Sequence, residues 1–353
     1  MGLIRLSIDN REVEIEAGAT ILQAAKKAGI AIPHLCHQDD MSPAAACRLC
    51  VVEVEGARTL VASCAYPAAP NMVVRTGTGR VLAARKLLVE FLLSDHPSDC
   101  MTCEKSGECT LQDLAYAMGV TRTRFEGERH TYPIDLANPF IARDYNKCVL
   151  CERCVRACGE VQGIYAIDYA RRGFNTKVTA PFDGGLQGTD CTLCGQCVQA
   201  CPTGALTERK AQGMARAWET AKVRTTCPYC GVGCQLWLHV KDSRITKVTA
   251  VKEALPNRGR LCVKGRFGYD FIYSEERLKT PLIRKEDGQF REASWDEALD
   301  LVATRFKEII AGHGPDAIGG VSCSRSINED SYQMQKLFRS VLGTNNIDNC
   351  ART

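Results

Sequence analysis

The first eight residues alternate in character. Leu3, Arg5 and Ser7 fall on one face and Ile4, Leu6 and Ile8 on the other, a period of two that predicts a strand. Asp9-Asn10 predicts a turn, after which Val13 and Ile15 begin a returning strand. Thr20 then precedes a short helical run with Gln23 three residues on, the reciprocal arrangement that opens a helix. Gly29 stops that helix and Pro33 follows. Over residues 80–93 the period becomes helical and predicts an amphipathic helix that delivers the chain to His96-Pro97. Strand patterns return at 235–240 and 245–250. Ser294 introduces a predicted helix over 295–311, and 317–322 reads as a buried strand.

The chain has 353 residues, which suggests two to four domains. No run of about 18 apolar residues occurs, so no membrane span is expected. A formal charge of +4 gives no reason to expect nucleic acid or an anionic membrane as partner. The N-terminus lacks the basic start and apolar core of a signal peptide, so a cytoplasmic location is expected. The departure from ordinary composition is cysteine. There are 21, an odd number in a chain without an export signal, which makes a disulfide framework a poor explanation. Zinc and iron–sulfur clusters remain, and spacing separates them.

The strongest signal is a repeat within 140–210. Cys148, Cys151, Cys154 and Cys158 have the spacing C-x2-C-x2-C-x3-C, and Cys191, Cys194, Cys197 and Cys201 repeat it before Pro202. In two-cluster ferredoxins the fourth cysteine of each run serves the other cluster. One 4Fe–4S cluster is therefore assigned to Cys148, Cys151, Cys154 and Cys201, and a second to Cys191, Cys194, Cys197 and Cys158. Zinc favours paired knuckles over triplets. Near the N-terminus, Cys36, Cys47, Cys50 and Cys64 depart from the plant-type loop. Hairpin, helix and then cysteine loop is nevertheless the order expected of a β-grasp ferredoxin, and four thiolates there suit a 2Fe–2S cluster, with zinc as a rival. His96, Cys100, Cys103 and Cys109 form a mixed group, in which His96 is either a ligand or a helix-end histidine with a polar partner. His34 and His37 read as loop residues. Cys227, Cys230, Cys234 and Cys262 suit another 4Fe–4S cluster, a zinc ribbon being the alternative; Gly231 and Gly233 let the backbone approach the sulfurs. Only Cys323 and Cys350 remain, read as small buried hydrophobes rather than ligands.

From Cys36 to Cys109 the order of motifs resembles the N-terminal region of the complex I 75-kDa subunit and the large subunits of iron-only and NAD-reducing hydrogenases. The resemblance supports His96 as a ligand. Cys227-Pro-Tyr-Cys-Gly-Val-Gly-Cys, together with Leu261-Cys-Val-Lys-Gly-Arg-Phe-Gly, resembles the start of the molybdopterin oxidoreductase family. That likeness implies a bis-molybdopterin-guanine-dinucleotide cofactor carrying molybdenum or tungsten in the full-length protein. It also implies that Lys264 helps electrons cross between cluster and pterin. The tail Leu342-Gly-Thr-Asn-Asn-Ile-Asp-Asn-Cys-Ala-Arg-Thr353 resembles the approach to a formate dehydrogenase active site. In that family the next residue is the cysteine or selenocysteine that binds the metal, so an end at Thr353 is expected to mark a selenocysteine codon read as a stop, with a designed truncation or a naturally short protein as the alternatives.

The resemblance thus implies a multidomain α+β chain. It would hold a β-grasp 2Fe–2S domain (1–80), a helical 4Fe–4S domain with one histidine and three cysteine ligands (81–120), and a double 4Fe–4S ferredoxin (138–210). A small 4Fe–4S molybdopterin-type domain (220–276) and the start of an incomplete α/β domain (277–353) would follow. The expected cofactors are one 2Fe–2S and four 4Fe–4S clusters. The full-length subunit would oxidise formate to CO2 or run the reverse, passing electrons to a flavin- and NAD(P)-linked or ferredoxin-linked partner. This chain would carry the electron-transfer part, with no catalytic residue of its own. The alternative is a stand-alone multi-cluster subunit of a hydrogenase or a complex I-like NADH dehydrogenase assembly.

Overall fold

The structure, a computed structural model, describes residues 2–350. Met1 and the last three residues of the formate dehydrogenase-like tail, including Thr353, lie outside the described residues. The chain divides into two compact units, residues 1–220 and 221–353.

The first unit opens with the antiparallel hairpin β1 (Leu3–Ile8) and β2 (Arg11–Glu16), turned by Asp9 and Asn10, both left-handed at φ 47° and 64°. In α1 (Ile21–Lys27) the Thr20 hydroxyl accepts from the Gln23 N–H at 3.3 Å, and the Gln23 amide oxygen accepts from the Thr20 N–H at 2.8 Å. Strands β3 (Val51–Val54), β4 (Val61–Ala62) and β5 (Val73–Arg75) complete a sheet of order β2-β1-β5-β3-β4, in which β1 and β5 run parallel. Leu6, Ile8, Val13, Ile21 and Val52 pack one core with Cys50 and Cys64.

The predicted amphipathic helix is α2 (Gly79–Ser94), but its buried stripe departs from the apolar pattern. Val81, Arg85, Val89 and Glu90 are buried, whereas Leu82 and Phe91 are exposed. Arg85 is accommodated because its guanidinium donates to the Val51 carbonyl at 2.8 Å, and Glu90 pairs with Arg124 at 2.8 Å. Buried charge is tolerated where it is paired. Next come α3 (Thr110–Ala117) and β6 (Ile141–Arg143). The double-motif region then follows: α4 (Arg153–Arg156), β7 (Asp168–Ala170), β8 (Lys177–Thr179), α5 (Gln196–Ala200) and β9 (Leu206–Glu208). Strand β6 pairs with β9 and β7 with β8.

The second unit begins with an antiparallel three-stranded sheet, β10 (Ala221–Thr226), β11 (Gln235–Lys241) and β12 (Arg244–Ala250). After α6 (Val263–Phe267) and the hairpin of β13 (Leu282–Arg284) and β14 (Phe290–Glu292) comes α7 (Trp295–His313), where the Ser294 hydroxyl caps the Glu297 N–H at 3.1 Å. Strand β15 (Gly320–Ser322), α8 (Asn328–Lys336) and β16 (Ile347–Asn349) follow, with β16 parallel to β15. The expectation of a buried strand over 317–322 is corrected here. Pro315 starts a short 3-10 turn through Ala317, pairing begins only at Gly320, and Val321 is 78% exposed. Burial falls instead on Ile318 and Phe338, whose ring lies against Gly320. Among the described residues, no helix is long and apolar enough to cross a membrane.

Candidate iron–sulfur sites

The sequence repeat is also a repeat of backbone conformation. Leu150 and Glu152 take left-handed φ of 50° and 66°, and the matching Leu193 and Gly195 take 54° and 69°. Three of these four carry a side chain that disfavours that region. The alternation curls each C-x2-C-x2-C segment so that its cysteines face one side, the shape of a backbone nest around an anionic group. Cys148, Cys151, Cys154 and Cys201 line one cavity; Cys158, Cys191, Cys194 and Cys197 line another. Each cavity is thus lined by three cysteines of one run and the fourth of the other. Burial pushes the Cys148 thiol up to about 11, those of Cys151 and Cys197 to about 12, and that of Cys154 well above its ordinary value.

In the N-terminal group the four sulfurs interact with one another. Donation from Cys47 and Cys64 pulls Cys36 far down, donation from Cys64 holds Cys50 at about 6, and the donors are raised in turn. All four side chains are buried. Ala45 and Arg48 are left-handed on either side of Cys47.

His96 lies just beyond α2 and is 9% exposed. It lines a cavity with Cys100 and Cys109, and its Nδ1 is buried without a hydrogen-bond partner. Burial lowers its pKa, which favours the neutral imidazole that binds metals. The reading of His96 as a helix-end residue with a polar partner finds no such partner at Nδ1. Cys103 lies beside Gly204 and close enough to Cys100 and Cys109 to raise their thiols, although burial is the larger cause for both. His34 Nδ1 meets the Ile32 carbonyl at 2.8 Å and His37 meets Asp39 at 3.4 Å, contacts internal to their loop.

In the second unit, the Cys227 N–H donates to the Cys234 carbonyl at 2.8 Å, closing a loop in which Gly233 is left-handed at φ 69°. Burial, and then the neighbouring Cys227, Cys230 and Cys262, push the Cys234 thiol up. Lys264 is exposed on α6, its Nζ 5.5 Å from the Tyr229 ring within the cysteine loop.

The Cys148 and Cys191 sets each line a cavity, and His96, Cys100 and Cys109 line another; soft thiolates spaced around a cavity suit a cluster of several atoms. The orphaned Nδ1 of His96 suits the same purpose. The donor sets therefore fit iron–sulfur clusters.

Several contributors carried no recognised motif. Arg156 donates to the carbonyls of Cys36 and Ser42, and Arg153 to that of Leu35 at 3.3 Å. Glu160 accepts from the Ser42 N–H at 2.7 Å. Together they clamp the Cys36 loop onto the segment that carries Cys151 and Cys154. Lys147, just before Cys148, pairs with Asp99 at 2.8 Å, and its carbonyl accepts from Thr203. The Thr110 N–H donates to the Pro202 carbonyl at 2.9 Å. As a result Cys36, Cys47, Cys109 and Cys151, from three different groups, share one apolar core with Leu35, Leu49 and Val89. Basic residues inside cysteine motifs were the available signal for Arg153 and Arg156. Cys323 and Cys350 are corrected: both are exposed, not buried, and their sulfurs lie 3.5 Å apart.

Comparison with known families divides the chain as follows. Residues 2–79 match the 2Fe-2S iron-sulfur cluster binding domain and 85–124 the NADH-ubiquinone oxidoreductase-G iron-sulfur binding region. Residues 138–207 match the ferredoxin-like domain of NADH-quinone oxidoreductase subunit 3. Residues 220–274 match the molybdopterin oxidoreductase Fe4S4 domain and 277–353 molybdopterin oxidoreductase itself. A G-type subunit of NADH-quinone oxidoreductase from Rhizobium meliloti is 43% identical over 99% of this chain, and NADPH-Fe(3+) oxidoreductase subunit alpha of Geobacter sulfurreducens is 38% identical over 99%. A Staphylococcus aureus protein named "Putative formate dehydrogenase" is 33% identical over 98%. The chain spans about 40% of the length of these relatives. A solved chain of an NAD+-reducing [NiFe]-hydrogenase is 36% identical, with TM-score 0.57, over 60% of this chain and 90% of that one.

Proposed function

The chain belongs to the molybdopterin oxidoreductase family, with an iron–sulfur array of the NADH-quinone oxidoreductase type at its front, and from that premise we propose that it is the electron-transfer portion of a formate dehydrogenase catalytic subunit. The observation that carries the electron-transfer reading is the shared core of the first unit, where cysteines of three groups are buried together out of water. Cys36, Cys47, Cys50 and Cys64 hold a 2Fe–2S cluster. The four 4Fe–4S sets are His96 with Cys100, Cys103 and Cys109; Cys148, Cys151 and Cys154 with Cys201; Cys191, Cys194 and Cys197 with Cys158; and Cys227, Cys230 and Cys234 with Cys262. When bound, such clusters accept and release single electrons. The protein holds the sulfurs in place, excludes water and sets local charge through Arg153, Arg156 and Lys147. Lys264 lies beside the Cys227 loop, and in a longer protein that binds bis-molybdopterin-guanine dinucleotide with molybdenum or tungsten it would help electrons cross between that cofactor and the cluster. The partner is a flavin- and NAD(P)-linked or ferredoxin-linked subunit.

Formate specificity rests on the tail resemblance and on the staphylococcal relative. Its test is deletion of the coding region in the host, followed by assay of formate-dependent viologen reduction in anaerobic extracts. Loss of that activity is expected; full retention overturns the formate reading. A second reading, a carrier subunit in a hydrogenase or NADH dehydrogenase assembly, is favoured by the hydrogenase chain that this sequence covers to 90%. It predicts loss of hydrogen- or NADH-dependent activity in the same extracts. Purified anaerobically, the chain itself should bind roughly 18 irons and show no formate–viologen activity.

A further inference from the structure

Strand β6 connects the two cavities of the double motif. Ile141 and Arg143, two positions apart, share one face of it. Ile141 lines the cavity of Cys158, Cys191, Cys194 and Cys197, and Arg143 lines that of Cys148, Cys151, Cys154 and Cys201. The rest of the strand, Ile141 and Ala142, is buried and apolar, yet Arg143 is only 3% exposed.

The guanidinium is incompletely satisfied. Its Nη2 donates to the Val178 carbonyl at 3.0 Å, whereas its Nη1 is buried without a partner among the described residues. Its carbon lies 4.8 Å from the centre of the Tyr145 ring, which is shared with the Lys177 ammonium at 4.2 Å. Lys177 has a counter-charge in Asp183 at 2.8 Å, but among the described residues no carboxylate pairs with Arg143. A buried charge is costly unless it is paired. An anion in the cavity that Arg143 lines would supply both the missing charge and the missing acceptor. Burial raises the thiols of Cys148, Cys191 and Cys197, and the charge of Arg143 opposes it at all three, so its field reaches both cysteine sets.

We propose that Arg143 is the internal counter-cation of the paired clusters: its Nη1 donates to the cluster held by Cys148, Cys151, Cys154 and Cys201, and its charge raises the potential of that cluster more than that of its Cys191 neighbour. The inference rests on the electron-transfer reading above. Reduction adds one negative charge to a cluster. A fixed cation beside it stabilises that charge, with little screening in a site closed to water. A hydrogen bond to a cluster sulfur acts in the same direction. Arg143 ligates no iron; it makes the first of the two clusters the easier one to reduce.

The test is a redox titration by low-temperature EPR of the 353-residue chain, purified anaerobically, with iron and sulfide counted. Cys154→Ser and Cys194→Ser assign the two signals. Arg143→Met keeps the reach of the side chain and removes its charge. It should retain parental iron and make reduction of the Cys148 cluster about tenfold less favourable, which is about 59 mV for one electron. The Cys191 cluster should move by less, and Arg143→Lys should restore most of the shift. Unmoved potentials overturn the inference, as does an equal fall at every cluster, the mark of a general loosening. If Arg143→Met sheds iron, Arg143→Lys and Arg143→Gln decide. Clusters kept with Lys but lost or lowered in potential with Gln uphold the charge; loss with both, or equal behaviour of the two, overturns it. A parent chain without iron overturns the electron-transfer reading and this inference together, whereas a loaded parent whose potentials ignore Arg143 overturns this inference alone.

Discussion

Replacing Gly204 with alanine tests whether the Cys103 sulfur is held by a cluster. A Cβ added at Gly204 would lie 2.7 Å from the Cys103 sulfur and 3.1 Å from Lys147 Cδ. Ordinary contact begins near 3.4 Å, so the sulfur must retreat by most of an ångström, while the lysine methylene can yield. Gly204 is not in the left-handed region, so alanine brings no backbone strain. In a cluster-free chain the Cys103 thiol turns to another staggered position at a cost of about 1 kcal/mol or less. With its sulfur bonded to iron it cannot turn, and the overlap becomes overpacking worth about 1–3 kcal/mol. The two cases therefore separate. Gly204→Ala should leave urea unfolding of the cluster-free chain within about 0.5 kcal/mol of the parent. It should weaken retention of the His96 cluster roughly five- to a hundredfold. Iron counting during chelator challenge, with low-temperature EPR of the reduced protein, reads the loss of about four irons per chain while the Cys148 cluster persists. Gly185→Ala, which meets nothing within 4 Å, is the control. Parental iron retention in Gly204→Ala, or equal destabilisation of the cluster-free chain, would refute Cys103 as a ligand held at this position.

Three further outcomes follow from the same sites. His96→Cys should keep four ligands but add negative charge, lowering the potential of that cluster alone; a redox titration by EPR that finds it unmoved removes His96 from the ligand set. Arg153→Gln should lower the potentials of the clusters held by Cys36 and Cys148, on the order of tens of millivolts, because a half-buried positive charge beside them favours the reduced form; Arg153→Lys should restore part of the shift, and unchanged potentials would sink the idea. In the cluster-free chain, burial raises the Cys151 thiol from 9.0 to about 12. The folded state then keeps a proton that the unfolded state releases, so this contribution is complete below about pH 9 and is lost as pH rises to about 12. Its size is up to about 4 kcal/mol. Unfolding free energies that stay flat across that window would contradict it.

What could be read from sequence was what depends on near neighbours. The Thr20–Gln23 box, the β1–β2 hairpin and the Ser294 cap are decided within a few residues, and each formed as its pattern implied. The cysteine sets were legible for a related reason. A C-x2-C-x2-C segment must curl whatever surrounds it, and the left-handed residues at 150, 152, 193 and 195 are the form that curl takes. The failures lie where distant segments meet. Arg85 reads as a surface residue until the Val51 carbonyl, 34 positions away, supplies its acceptor. Arg153 and Arg156 find their acceptors in the Cys36 loop, more than 110 positions away.

The Cys323–Cys350 pair follows the same logic with the opposite sign. A pattern of single residues classes each as a small hydrophobe. Only the parallel register of β15 and β16, reached across α8, sets them side by side in solvent. Local spacing thus sets which thiols are gathered together, whereas long-range contacts determine the charge around them. Potentials and cluster retention should accordingly respond to Arg153 and Gly204, positions where the cysteine spacing itself is left intact.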